Sequence, residues 1–227
     1  MAGANEAPPK GIIFDWDNTL VDSWACIALA MNRTLRHMGF AEWGMEDMKS
    51  RVALSLRDSF PGLFGDRWEE ARDVFYAAFR ALHLQCLKPL PGIPEMLAAL
   101  TASGLRLSVV SNKNGGFLRE EVSHLGWQRY FDRLVGATDA VADKPASAPV
   151  QLAFEAMGCR SGDTVWFVGD AAVDMECAGN TGCVPVLLRG DPPRDGEFRR
   201  HPFRWHINDG WSLLDLVRVL GVPISPI

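Results

Sequence analysis

Two carboxylates stand two positions apart at the end of an apolar run near the amino terminus: Gly11-Ile12-Ile13-Phe14-Asp15-Trp16-Asp17-Asn18-Thr19. A strand turns alternate side chains to opposite faces, so Asp15 and Asp17 leave its carboxyl end aimed the same way. Open α/β sheets bind their ligands at that edge. One carboxylate there would need no explanation beyond a turn, because Asp and Asn commonly end strands. Two on one side repel, and a cation or a shared proton relieves the repulsion.

Other polar residues sit at the same kind of position. Ser111 follows the apolar run Leu105–Val110, and Asp170 follows Thr164–Val168 and Gly169. Asp174 lies four residues beyond Asp170; a helix beginning there would place both carboxylates on one face. Hard oxygen ligands with no His or Cys beside them suit Mg²⁺ better than zinc. Taken singly, Ser111 reads as a cap or turn residue, and Asp170 and Asp174 as an N-cap and a first-turn carboxylate.

The elements that must carry these residues follow from periodicity. Ile27, Leu29, Ala30, Met31, Leu35 and Met38 keep helical spacing and stop at Gly39. Residues 40–65 read as short helices broken at Pro61-Gly62 and Gly65, and 67–86 as one longer helix, with no strand between 23 and 88. Lys88-Pro89-Leu90-Pro91-Gly92 reads as a linker. Beyond it, helices at 93–103, 117–125, 150–157, 172–181 and 213–220 alternate with strands at 105–110, 134–135, 164–168, 184–188 and 205–207. Pro185 points to the first residues of a strand or to an edge. Alternation of this kind builds right-handed β-α-β units and a parallel sheet covered on both faces. The expected fold is therefore α/β, a doubly wound parallel sheet formed by residues 1–22 and 89–227, with an inserted α-helical domain at 23–88.

With these positions in view, the chain resembles the haloacid dehalogenase superfamily, in the branch with a helical cap between its first and second motifs, of phosphoglycolate phosphatase type. Asp15-Trp16-Asp17-Asn18-Thr19 matches the first motif, Val110-Ser111-Asn112-Lys113 the second, Lys144-Pro145 the third, and Gly169-Asp170 with Asp174 the fourth. The resemblance runs from Gly11 to about Leu188 and implies a Rossmann-like core. It implies that Asp15 is a nucleophile forming an aspartyl-phosphate and Asp17 the acid/base, with Lys144 neutralising charge. It further implies that Thr19, Ser111 and Asn112 contact substrate. Mg²⁺ would be held by Asp15, the backbone carbonyl of Asp17, Asp170 and Asp174. Asn18 stands where the family usually has Gly, and Asn tolerates the left-handed conformation. Lys113 is the alternative for the role of Lys144, and fits better as a phosphate-side or structural neighbour.

The second carboxylate narrows the chemistry. Haloacid dehalogenases lack an Asp at the position of Asp17, and phosphonate-cleaving relatives usually carry Ala there, so Asp17 favours phosphoryl transfer. A phosphatase and a phosphomutase of β-phosphoglucomutase type share all four motifs. A silent phosphate-sensing protein would have no use for Asp17. The expected partner is a small phosphorylated metabolite, with Arg33, Lys49, Arg51 and Arg57 of the cap available to an anionic substrate. Trp16 should point away from the site into the sheet packing, and residues 189–204 read as a solvated loop.

Composition sets outer bounds. The 227 residues, 48% of them hydrophobic, suffice for a core domain plus a smaller one. A net charge of −5 without a long basic run argues against nucleic acid or an anionic membrane as main partner. Five cysteines without a CxxC pair suggest a reducing compartment. The leader Met1–Pro9 has neither a basic nor an apolar segment, and no stretch has membrane-spanning length, so a cytosolic protein is expected.

Overall fold

A computed structural model describes residues 7–52, 54–160 and 163–224; most of the leader, Met1 to Glu6, lies outside it. One six-stranded parallel sheet organises the core, in the order β5-β4-β1-β6-β7-β8. Its strands are β1 (Gly11–Phe14), β4 (Arg106–Asn114), β5 (Arg133–Ala137), β6 (Val165–Gly169), β7 (Val184–Leu188) and β8 (Trp205–Ile207). From the central β1 the chain winds outward first through β4 and β5, then returns to β6 on the other side. The carboxyl end of β1 thus lies at the reversal of strand order, where doubly wound sheets open a crevice.

Alternation along β1 fills both layers. Ile12 and Phe14 pack with Leu97 and Leu100 of α6 (Ile93–Ala102) and Leu213 and Leu214 of α10 (Gly210–Val219). Ile13 faces the opposite layer, with Val150 and Ala153 of α8 (Ala148–Met157) and Ala178 of α9 (Ala172–Thr181). The remaining core helix is α7 (Gly115–His124), which follows β4. Pro185 is the second residue of β7, where it pairs in an interior strand rather than an edge one.

The inserted segment is helical, as expected, and has its own core. It comprises α1 (Trp24–Met38), α2 (Met45–Arg51), α3 (Leu56–Phe64), α4 (Trp68–Arg80) and α5 (His83–Cys86). Met31, Leu35, Phe60, Phe75 and Phe79 form its interior. Pro61 and Gly62 do not break a helix: both lie inside α3, with Pro61 on its exposed side, and Gly65 ends the element. Nor is 67–86 one helix. Leu82 N–H bonds Phe79 O, closing the end of α4 tightly, and a fresh turn starts at His83.

Two short strands escaped the sequence reading. β2 (Val21–Asp22) and β3 (Lys88–Pro89) pair antiparallel, so the chain leaves the core and re-enters it through adjacent ribbons. Strands of two residues have no periodicity to detect.

Candidate active site

The turn after β1 is built around Asn18, which adopts φ 61°. Its N–H donates to Val21 O (2.7 Å), and its side-chain oxygen accepts from Ser23 N–H (3.1 Å). Asn thus fits the left-handed position that Gly would occupy, and adds a bond that Gly could not. The turn carries Trp16 inward, fully buried, and leaves Asp15 and Asp17 at the sheet edge.

Asp15, Asp170 and Asp174 converge: one carboxylate oxygen from each lies within 4.8 Å of the others. Lys144 threads between them, its Nζ 2.8 Å from Asp15 Oδ1 and donating to Asp174 Oδ1 at 2.7 Å. Apart from this ion pair, the buried Asp15 Oδ1 has no hydrogen-bond partner among the described residues. Two buried acids, Asp15 and Asp174, with the half-buried Asp170 beside them, outnumber the one ammonium and leave an excess of negative charge. Burial, opposed by Lys144 and reinforced by Asp174, lifts the Asp15 carboxyl from an ordinary 3.8 to about 6. Burial and the neighbouring acids Asp174 and Asp15 likewise push Asp170 well above the usual range. A surplus of hard anionic donors, with no His or Cys among them, fits a Mg²⁺ ion.

Asp174 has two tasks. It is the third residue of α9, and its Oδ2 accepts the N–H of Ala171 (3.0 Å) while Oδ1 holds Lys144. Asp170 precedes the helix, so the two acids do not share a helical face as their spacing suggested. Gly169 lets them meet, because a Cβ there would lie 2.3 Å from Asp174 Cγ. Gly169→Ala is therefore expected to displace Asp174, destabilising the protein by about 1–3 kcal/mol as overpacked sites do. Thermal melting with and without Mg²⁺ checks it: both the midpoint and its response to the ion should fall.

Ser111 is buried and its Oγ accepts Lys113 N–H (3.2 Å), which leaves its O–H to donate. Two residues expected to touch substrate bond neighbouring groups of the protein. Thr19, fully buried, donates its hydroxyl to Asp170 Oδ1 (3.2 Å). The Asn112 amide brackets the backbone of Lys144, accepting its N–H (3.0 Å) and donating to its carbonyl (3.2 Å). Both hold groups that line the site, since a buried side chain satisfies nearby polar atoms first.

Asp17 stands apart from the acidic cluster. Its Oδ1 accepts from Lys113 Nζ at 2.6 Å, and the same ammonium contacts both oxygens of Glu121 at 2.9 and 3.1 Å. Burial pulls Lys113 down, but Asp17 and Glu121 outweigh it and hold the ammonium firmly charged. Lys113 is accordingly a neighbour of Asp17, whereas Lys144 stands at Asp15.

The cap arginines mostly turn elsewhere. Arg57 forms a two-pronged ion pair with the buried core residue Asp143 (2.6 and 2.7 Å). Lys49 reaches Asp191, Arg51 contacts Asp47, and Arg33 is exposed. The 189–204 segment is anchored rather than fully solvated: Arg189 pairs with Glu197 and donates to Asp170 O at 3.0 Å, and Phe198 is buried against Met175 and Leu187. Among the described residues, no helix is long and apolar enough to cross a membrane.

Comparison with known proteins matches residues 12–187 to the family model for haloacid dehalogenase-like hydrolases. A phosphoglycolate phosphatase of Aquifex aeolicus is 32% identical over 177 residues, covering 78% of this chain and 83% of its own. A pyrophosphatase, PpaX, of Halalkalibacterium halodurans is 26% identical, covering 79% and 85%. The crystal structure of a predicted phosphoglycolate phosphatase from Haemophilus somnus 129PT superposes with a TM-score of 0.79 at 23% identity, over 92% of this chain and 97% of its own, a likeness of fold.

Proposed function

Because the chain belongs to the haloacid dehalogenase-like hydrolase family, we propose that it is a Mg²⁺-dependent phosphatase that cleaves a small phosphate monoester through a phosphorylated Asp15. The observation that carries this reading is the division of labour at the end of β1: Asp15 lies within the acidic cluster beside Lys144, whereas Asp17, two residues on, lies outside it on Lys113.

The two acids take complementary roles. The Asp15 carboxylate attacks phosphorus, and the bond to the leaving oxygen breaks as Asp17 gives that oxygen a proton. Asp17 then takes a proton from the water that attacks the phosphorylated Asp15, returning both groups to their starting states. Two anions at ~4 Å repel by several kcal/mol even when moderately screened. Lys144 offsets part of that repulsion, and the Ser111 O–H and the backbone N–H groups after Asp15 hold the transferred oxygens. Asp15, Asp170, Asp174 and the Asp17 carbonyl would hold Mg²⁺, which supplies charge neutralisation and orientation of the phosphoryl group. The cap closes the site over the leaving group and selects it.

The names of the relatives direct the substrate test to 2-phosphoglycolate, other phosphorylated organic acids, sugar phosphates and pyrophosphate. Mg²⁺-dependent release of inorganic phosphate from small monoesters is the expected result. No release from any of them, or a preference for phosphoproteins or long polynucleotides, overturns the reading. Phosphate retained in an isomeric sugar phosphate instead indicates a mutase. Independently of turnover, Mg²⁺ at about 100 times its Kd should add about 2.7 kcal/mol of stability at neutral pH. For a chain of this size that raises Tm by roughly 5–10 °C. The increment should shrink below pH 6, where protons compete for Asp15.

A further inference from the structure

Outside the acidic cluster, a second buried charged group links the two domains. Glu121, on α7, is 1% exposed and accepts from three directions. Trp16 Nε1 donates to it at 2.6 Å from the turn between Asp15 and Asp17, and Lys113 Nζ from the end of β4. His83 Nδ1 lies 2.9 Å from its Oε1, and His83 belongs to α5 of the cap.

The cap closes over the same lysine. Lys113 Nζ sits 4.7 Å from the ring centre of Phe79, on α4, a cation–π contact within a desolvated space. His83 stacks on Phe79 (5.3 Å between centres) and meets Phe117 of α7 edge-on at 5.0 Å. Lys113 is thus held by two groups of the core, Asp17 and Glu121, and roofed by the Phe79 ring of the cap, against which His83 stacks.

We propose that Lys113 is the positioning residue of Asp17, and that Phe79 and His83 of the seated cap complete its socket, so that proton delivery to the leaving group depends on cap seating. The inference rests on the phosphatase reading and assigns the group that aims its acid. Lys113 occupies Oδ1 of Asp17, which designates Oδ2 as the oxygen that hands the proton to the leaving group and later receives one from water. Without the ammonium, the carboxyl group rotates, and misplacement of a reacting group by about 1 Å can cost 10²-fold in rate. Coupling to the cap matches the order of events: the acid is aimed when the leaving group is enclosed.

The test uses kcat/KM over a series of phosphate esters with leaving groups of increasing basicity, from p-nitrophenyl to alkyl phosphates. kcat/KM reads the steps through departure of the leaving group. An alkoxide needs a proton to depart, whereas p-nitrophenolate departs without one. Lys113→Met should lose about 10²-fold on alkyl phosphates and less than about 3-fold on p-nitrophenyl phosphate, with Lys113→Arg partly restoring the alkyl rate. Phe79→Leu and His83→Gln, which leave the Lys113–Glu121 pair intact, should show the same selective loss at smaller size. They carry the test if Lys113→Met fails to fold. Equal losses on both ester classes, or none, overturn the inference while leaving the phosphatase reading intact. Absence of Mg²⁺-dependent hydrolysis in the unmodified protein overturns both.

Discussion

Asp15→Asn is expected to abolish phosphate release, by more than about 10⁴-fold, because loss of a nucleophile removes the covalent route altogether. The same variant should melt higher than the parent when both are free of metal. The Asp15 carboxyl is raised from 3.8 to about 6, with burial as the leading cause. A raised acid contributes stability that is fully present below its unfolded value and lost as pH rises through the folded one. At neutral pH the ionised Asp15 therefore carries a penalty on the order of 3 kcal/mol, which an amide lacks. Melting curves of both proteins in a chelator at pH 7.5 and pH 4.5 measure it: the gap should be wide at the first and narrow at the second. Asp17→Asn behaves differently. It should slow turnover by about 10²–10⁴-fold, and with p-nitrophenyl phosphate it should accumulate phosphorylated Asp15 detectable by mass spectrometry. Unchanged turnover in Asp15→Asn would remove the nucleophile assignment.

The second large effect belongs to Lys144, the fully buried ammonium between Asp15 and Asp174. Burial disfavours its charge, yet the two acids more than compensate and hold it protonated well above the usual lysine range. Removing one partner of a buried ion pair costs about 3–5 kcal/mol, because the other charge stays behind without compensation. Lys144→Met strands two carboxylates, so Tm should fall by roughly 10 °C or more. Those acids become harder to ionise, so the variant should recover stability as pH is lowered from 7.5 toward 5, a direction opposite to ordinary acid denaturation. Added Mg²⁺ should also restore part of the loss. A variant that melts within a degree of the parent at every pH would contradict the buried-charge account.

Much of this site was legible because it hangs on periodic elements. Asp15, Asp17, Ser111 and Asp170 each follow an apolar run, and parallel strands bring such positions to one edge whatever the intervening sequence does. Lys144 sits in a loop without period, and only the family resemblance pointed to it. Thr19 and Asn112 were visible at the edge, but their partners were not, since the direction of a short polar side chain depends on what else is buried beside it. Glu121 left a signal that was overlooked: it falls on the apolar stripe with Phe117, Leu118 and Val122, where a charge must have a partner. That the partners would be Lys113, Trp16 and a cap histidine 38 positions earlier could not be read from spacing.

The paired strands Val21–Asp22 and Lys88–Pro89 place both ends of the cap side by side, about 4.8 Å apart as neighbouring strands are. An insertion whose two ends coincide adds nothing to the path of the sheet and removes nothing from it. A cap of different size or shape grafted at this ribbon is therefore expected to leave β1 and the turn at Asn18 in register. A foreign cap would have to supply an aromatic ring over Lys113, a polar partner for Glu121 and a cation for the buried Asp143.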